Sequence, residues 1–452
     1  VTDTGRTIRR PFPLKGILYS LLGILYLGFL LGTLSSVPFH PDEATYIYMS
    51  RDLDRILAGG PVSICWNPTR PTDPLQAERE RDAPLTRYTI GIARTLAGIS
   101  ATTSNWIWSA DWTQNLLQGG VPSAALLLVA RLPQALLLFL TVLLMARLGW
   151  HLGGEVGAVS AAALMALNSQ ILLHTRRAMS EGAMVFGMVL VMVIVLEQQE
   201  RIGPLFRRVI FPLLAGVALA IAASAKYSGL LVALPALAGM FLGDRDAPLR
   251  KTVLWGTARS GVMALGFLLV FLLINPVYWC HPLATLSAAI AQRQTLLAAQ
   301  VNALRMAAPG LVLDSFPLRL LAVPYQLFIA PLAFWDISNY AQATAAAEHT
   351  YLSSPINTLT SGGILPLAWC ALSLIGLALV IARGLRRGAD GSLRLLGVWF
   401  LSVFAGILAG VPILWQRYYL PLIPVCAALS AVAVTTLINI ARRLLRPPKN
   451  SP

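Results

Sequence analysis

About ten times along this chain, a run of about 20 residues is predominantly apolar, long enough for a helix to cross a hydrocarbon core of about 30 Å. No other feature restricts the fold as much. The runs fall near residues 16–37, 122–147, 155–173, 178–197, 209–225, 227–243, 258–277, 362–383, 394–415 and 418–440. The pair at 209–243 also reads as one broken helix, but Lys226 in its middle argues for two. Only 12% of the 452 residues are charged and 56% are hydrophobic, against about 25% charged in a soluble domain. The expectation is an all-α integral membrane protein, one polytopic domain over 1–452. The first run is too long for the apolar part of a signal peptide and lacks a small-residue cleavage site, so it is read as a mature helix.

The formal charge of +15 could point to nucleic acid, but no basic run carries the interleaved aromatics or zinc spacing of such a module, so no nucleic acid partner is expected. Topology explains the charge better. With the N-terminus inside, the cytoplasmic segments collect 20 of the 35 basic residues, among them Arg6, Arg9, Arg10, Lys15, Arg207, Arg208, Arg250, Lys251, Arg383, Arg386, Arg442 and Arg443, against 7 acids. The other side holds 15 basic residues and 13 acids. Such an asymmetry orients membrane helices. It predicts a multi-pass cell-membrane protein with both termini cytoplasmic.

Two long segments then face outward, 38–121 and 278–361. "ATYIYMSRDLDRIL" and "APLTRYTIGIARTLAGI" in the first, and "LATLSAAIAQRQTLLAAQVNALRMAA" in the second, read as amphipathic helices lying on the membrane surface. The chain shows no repeat of 20 to 50 residues and no low-complexity tract. Four cysteines are too few and too scattered for a disulfide scaffold or a CxxC metal site. Cys370 and Cys426 lie in apolar segments, whereas Cys65 and Cys280 share one aqueous face, which leaves a bridge between them open.

Ionisable residues near a bilayer are costly and mark either function or a paired structural charge. Four groups stand out, all on the outer side. Asp42 and Glu43, just past the first helix, can serve as a general base, bind a metal, or cap the next helix; Glu43, in the first helical turn, suits capping better. Asp82 closes "ERERD", a run that a solvated surface would also produce. Arg176, Arg177 and Glu181 sit at a helix mouth, where an Arg177–Glu181 pair four residues apart is the bland reading. Lys226 and Arg417 lie at outer helix ends, where snorkelling is common. A Lys and an Arg facing several carboxylates nevertheless suit a phosphate held beside a proton acceptor.

Taken in order, "HPDEATYIYMSRDL", "DAPLTRYTIGIARTLAG", "ARLPQALLLFLTVLLMARLGWHLGG", "RRAMSEGAMVF", "AIAASAKYSGLL", "LLINPVYW" and "QRYYLPLIP" resemble the membrane-embedded class C glycosyltransferases. Within these the likeness is to the protein O-mannosyltransferase and lipid A aminoarabinose transferase branch. It runs from about residue 15 to 430 and is weakest between 285 and 360. The resemblance implies the GT-C fold and transfer of a sugar from a polyprenyl monophosphate to an acceptor on the exocytoplasmic face.

The same resemblance implies residue roles. Asp42, beside Glu43, would activate the acceptor, with Asp82 and Glu181 as further acids of the cavity. Lys226 and Arg417, with Arg177 and Tyr418, would lie near the lipid phosphate. Asp82–Ala83 stands where aminoarabinose enzymes have Glu-Lys, which argues against that sugar. No cofactor is required by this chemistry, although a divalent ion at the adjacent acids remains open. The acceptor class, whether protein, glycan or lipid, is also open. A secondary transporter or a non-catalytic lipid-sugar-binding subunit would share the buried charges, but the paired broken helices of a transporter repeat are not seen.

Overall fold

The computed structural model describes residues 13–68, 73–199, 203–242, 248–386 and 390–445. Of the charges counted above, Arg6, Arg9, Arg10, Arg201, Arg245, Arg387, Arg446 and Lys449 on the basic side lie outside these residues, as do Asp3, Glu200, Asp244 and Asp246. Among the described residues the chain is helical, with one isolated antiparallel bridge between Val312 and Ile413.

Helix α1 (Pro13–Gly32) is followed by five short helices, α2 (Pro41–Met49), α3 (Arg51–Gly59), α4 (Pro74–Arg81), α5 (Leu85–Leu96) and α6 (Trp112–Leu117). The long α7 (Ala124–Ala166) and the short α8 (Ser169–His174) lead to α9 (Ser180–Glu197), α10 (Phe211–Ala225), α11 (Ala233–Phe241) and α12 (Leu249–Ile274). A second long segment between candidate spans holds α13 (Pro282–Ala307), α14 (Phe316–Pro324), α15 (Ala341–Leu352) and α16 (Pro355–Thr358). Three helices complete the bundle, α17 (Ile364–Gly384), α18 (Gly391–Gly410) and α19 (Leu422–Leu444). The stretches expected to form surface helices are helical, as α2 with α3, α5 and α13.

Among the described residues eight helices, not ten, are long and apolar enough to cross a membrane. Helix α7 absorbs two of the expected runs, 122–147 and 155–173, and bends at Gly153 and Gly154. Gly154 has φ +60, a conformation that glycine adopts without steric cost. The run expected at 227–243 becomes a 3-10 turn at Tyr227–Val232 followed by α11, too short to count as a span. Lys226 in extended backbone separates it from α10, as its charge suggested.

The bundle is apolar on its outside as well as within. On α7, Leu128, Leu132, Leu136, Leu140 and Leu143 are exposed in one stripe, while Ala130, Gln134, Ala135, Leu138 and Val142 are buried. Spacings of three and four residues place each set on one face of the helix. Helix α9 forms the centre of the bundle, its 18 residues largely buried against α7, α10 and α11. Small residues allow that approach: a Cβ on Gly182 would lie 2.6 Å from Gln134 Oε1 and 2.7 Å from the Thr175 carbonyl.

Two buried ion-pair clusters and one disulfide fasten the outer segments. Glu43 accepts two bonds of 2.7 Å from Arg131 of α7, and both side chains are almost fully buried. The Glu43 carboxylate also accepts from His40 N at 3.0 Å and Ala178 N at 2.8 Å, so one acid ties α2 to α7 and to the entry of α9. Asp52 accepts from Arg79 at 2.9 and 2.6 Å and from Arg87 at 2.9 Å, which locks α3 onto α4 and α5. Cys65 and Cys280 are disulfide-bonded across 215 residues, joining the first segment to the start of the second.

Removing one partner of a buried ion pair costs about 3–5 kcal/mol. Glu43→Ala is therefore expected to lower the thermal midpoint of the purified protein sharply, and an unchanged midpoint would refute the clamp. Cross-linking across a loop of this length contributes up to about 5 kcal/mol in the chain-entropy account. Cys65→Ser, Cys280→Ser and the double variant should lower stability equally, because each removes the same bond; alkylation before and after reduction checks that bond directly.

Candidate active site

Between the two outer segments and the helix ends lies a cavity of about 560 Å³. One wall is polar. Helix α2 contributes Asp42 and Tyr46, the end of α4 contributes Glu78, Arg81 and Asp82, and Lys226, Asp336, Arg417 and Tyr418 complete it. The other wall is one face of α13, with Leu296, Ala299, Ala303 and Ala307 at helical spacing and Arg293 toward its start. Trp108 and Trp335 stand beside the polar wall.

Local structure places each acid. His40 is the N-cap of α2, its Nδ1 accepting from Asp42 N at 3.2 Å, and Pro41 at the first helical position fixes the turn. Asp42 therefore projects from a helix N-terminus, where the dipole favours a carboxylate. Ala83 precedes Pro84, which disfavours helical backbone. Helix α4 accordingly ends at Arg81, and Asp82 is extended with its carbonyl accepting from Arg87. At the end of α10, Lys226 Nζ donates to Glu181 Oε1 at 2.6 Å and lies 5.3 Å from the centre of the Tyr418 ring.

Arg417 is the electrostatic centre. Its Nη1 bonds Asp42 and its Nη2 meets Asp336 Oδ2 at 2.6 Å, while its guanidinium lies 5.4 and 5.5 Å from the rings of Trp415 and Tyr418. His40 Nε2 faces Asp336 Oδ2 at 3.4 Å. Burial alone would raise the Asp336 carboxyl, but Arg417 and His40 overcome it and hold that group well below the usual carboxylate range. Burial pushes the Glu78 carboxyl up, with Arg81 opposing. It also pushes the Tyr418 phenol up to about 12 against the pull of Arg417 and Arg293.

Of the residues expected from the sequence, Asp42, Asp82, Lys226, Arg417 and Tyr418 line this one cavity. Glu181 is fully buried directly behind Lys226 rather than facing the space, and it pairs with Lys226, not with Arg177. Two more of the expected residues also lie off the cavity wall. Glu43 is turned into the core against Arg131. Arg177 is fully buried and donates to the carbonyls of Pro38 at 3.1 Å and Phe334 at 2.9 Å, stapling the two outer segments instead of facing the cavity. Neither has a lining position.

Sequence reading missed Asp336, Arg293, Glu78, Trp108 and Trp335. A lone acid in the apolar "IAPLAFWDI" was the available signal for Asp336, and Arg131 in the apolar "LLLVARLPQALLL" was the signal that a distant carboxylate must face it. Among the described residues no three His, Cys, Asp or Glu side chains converge as a metal site would need. Asp42 and Asp336 meet a guanidinium instead.

Residues 104–290 match the family model of dolichyl-phosphate-mannose-protein mannosyltransferases. Arg177, Glu181 and Lys226 fall inside that segment; Asp42, Asp82 and Arg417 fall outside it. No curated protein sequence matches the chain. The structure is similar to that of the oligosaccharyltransferase AglB from Archaeoglobus fulgidus in complex with an inhibitory peptide and a dolichol-phosphate, at 16% identity over 96% of this chain and 53% of that one, TM-score 0.52. The same enzyme tethered to an acceptor peptide matches at 17% identity over 96% of this chain and 51% of that one, TM-score 0.52. ArnT from Cupriavidus metallidurans in the apo state matches at 14% identity over 93% of this chain and 60% of that one, TM-score 0.52. The chain thus spans little more than half the length of these proteins. It has the fold of the class C membrane glycosyltransferases, and its residues 104–290 carry the pattern of the dolichyl-phosphate-mannose-protein mannosyltransferases.

Proposed function

We propose that this protein is a glycosyltransferase that moves a sugar from a polyprenyl monophosphate to an acceptor hydroxyl at the exocytoplasmic face, with inversion at the anomeric carbon. One observation carries the reading: Asp42 and Arg417 face each other in a single cavity whose other wall is a largely apolar helix face, broken by Arg293 and Gln300. Such a space suits an amphiphile with a charged head and a hydrocarbon tail. The AglB structures, one with dolichol-phosphate and one tethered to an acceptor peptide, support a polyprenyl-phosphate donor and a separate acceptor in this fold.

The chemistry needs few groups. The acceptor oxygen attacks the anomeric carbon, the bond from that carbon to the phosphate oxygen breaks, and the acceptor proton passes to Asp42. The donor is a phosphodiester and the departing lipid a phosphomonoester, so negative charge grows on the phosphate as the bond breaks. Arg417 and Lys226, with Arg293 across the cavity, are placed to balance that charge in a site of low dielectric. A phosphate leaves without protonation, so no second carboxyl has to act as an acid. This reading routes no step through a metal.

Orientation follows from two supports. A disulfide between the outer segments suits an oxidising compartment, and the basic residues gather at the opposite helix ends. Both favour cytoplasmic termini and a site facing out of the cell.

General base catalysis contributes about 10² to 10⁴ in rate. Asp42→Asn should therefore bind a polyprenyl phosphate sugar at least as well as the wild type while transferring it about 10² to 10⁴ times more slowly; full transfer by this variant would remove Asp42 from the role. Losing one preorganised donor costs about 10² to 10³ in kcat, and Arg417→Ala is expected to fall in that range, with activity of the wild type unaffected by a chelator. The acceptor is identified by mass spectrometry of envelope proteins and glycolipids from cells with and without the chain, in which one hexose-bearing peptide or lipid should disappear.

A further inference from the structure

We infer that Asp336 is the positioning residue of Arg417 and that His40 joins it to the helix end carrying Asp42, so that an incoming phosphate displaces Asp42 from Arg417 while Asp336 stays. This rests on the reading of the cavity as a site for a lipid phosphate. The two carboxylates that share Arg417 are unequal. The Asp42 side chain is 23% exposed and ends in the cavity, whereas that of Asp336 is 9% exposed.

Asp336 also lies on a segment that cannot easily follow a moving guanidinium. Arg177 donates to Phe334 O at 2.9 Å, Gln416 Nε2 donates to Pro331 O at 3.1 Å, and Ala333 N donates to Gln416 Oε1 at 3.0 Å. Gln416 is the neighbour of Arg417, so the segment bearing Asp336 and the turn bearing Arg417 are fastened to each other. His40 adds the third side: Nε2 faces Asp336 and Nδ1 accepts from Asp42 N. The base and the phosphate-facing cation thereby hang on one buried connection from residue 42 through 40 and 336 to 417.

The arrangement resolves a conflict within the site. A carboxylate oxygen that already accepts from a guanidinium is occupied as a partner for an acceptor hydroxyl, yet Asp42 and Arg417 are in contact. Phosphate oxygens entering from the apolar side compete for the guanidinium face that Asp42 occupies. Arg417 then keeps one carboxylate, Asp336, which holds it at the cavity, and Asp42 is released toward the acceptor hydroxyl. Binding of the donor readies the base, and the carboxylate is not left free when the donor is absent.

A double-mutant cycle on the full purified chain, read as the dissociation constant for undecaprenyl phosphate alone, tests this. Truncating a buried charge pair affects binding strongly, so Asp336→Asn is expected to weaken binding about tenfold or more. Arg417→Ala should weaken it at least as much, and the double variant should bind no worse than Arg417→Ala, because residues acting through one another are non-additive. Asp336→Glu should restore part of the loss. Wild-type affinity in Asp336→Asn, or losses that multiply in the double variant, would overturn the assignment. If Asp336→Asn does not fold, Asp336→Glu takes its place in the same cycle. Absence of binding by the wild type would overturn the reading of the cavity and this inference with it.

Discussion

A guanidinium with a carboxylate on either side, Asp42 and Asp336, is the interaction on which the outer half of this molecule depends. Two unit charges 4 Å apart attract by about 4 kcal/mol at an effective dielectric of 20 and far less in water. The contact therefore gains strength from the protein that encloses it. It also draws in distant parts of the chain: Asp42 enters from the first outer segment, Asp336 from the second, and Arg417 from the turn before the last helix. The contact of His40 with Asp336, the bonds of Arg177 to the Pro38 and Phe334 carbonyls and the bond of Gln416 to the Pro331 carbonyl each tie one of these three segments to another.

Charge balance explains why such a site can exist beside lipid. The cavity wall carries four acids, Asp42, Glu78, Asp82 and Asp336, and four cations, Arg81, Lys226, Arg293 and Arg417. An uncompensated charge of either sign would cost several kcal/mol in such a place. A neutral but strongly polar wall is affordable, and on the proposed reading it accepts an anion by exchanging one carboxylate partner of Arg417 for a phosphate. On the proposed reading the position at the helix ends follows as well, since there the head of an amphiphile would meet charge while its tail met the Leu and Ala face of α13.

The elements that were legible in the sequence are those set by local pattern. Apolar runs gave the spanning helices, and charge in the middle of 209–243 marked a break that the structure puts at Lys226. Asp42 was legible because a helix start after an apolar run is itself a local feature. Long-range pairings were not legible. Nothing near Arg131 announces that its partner is Glu43, 88 residues earlier, and nothing near Arg417 announces Asp336. The segment around Asp336 has no period because it is irregular backbone, bonded to side chains instead of to itself. The charge run ending in Asp82 misled in a different way: Glu78, Arg79 and Glu80 look solvated in sequence but are buried, Arg79 between Asp52 and Asp73 and Glu80 against Trp66 Nε1.

The divergent placement of Asp42 and Glu43 follows from helix geometry. Successive residues on an α-helix are rotated by about 100°, so two adjacent carboxylates in a first turn cannot both face the same space. At α2 the cavity takes the first and the core takes the second. Glu43 reaches back to the His40 backbone as the far member of a capping box, and its remaining acceptor capacity goes to Arg131 and Ala178. That leaves it no lone pair to spare for substrate. The neighbouring acid can then stand at the cavity on a helix end that does not move, because the residue beside it has taken over the work of holding that end in place.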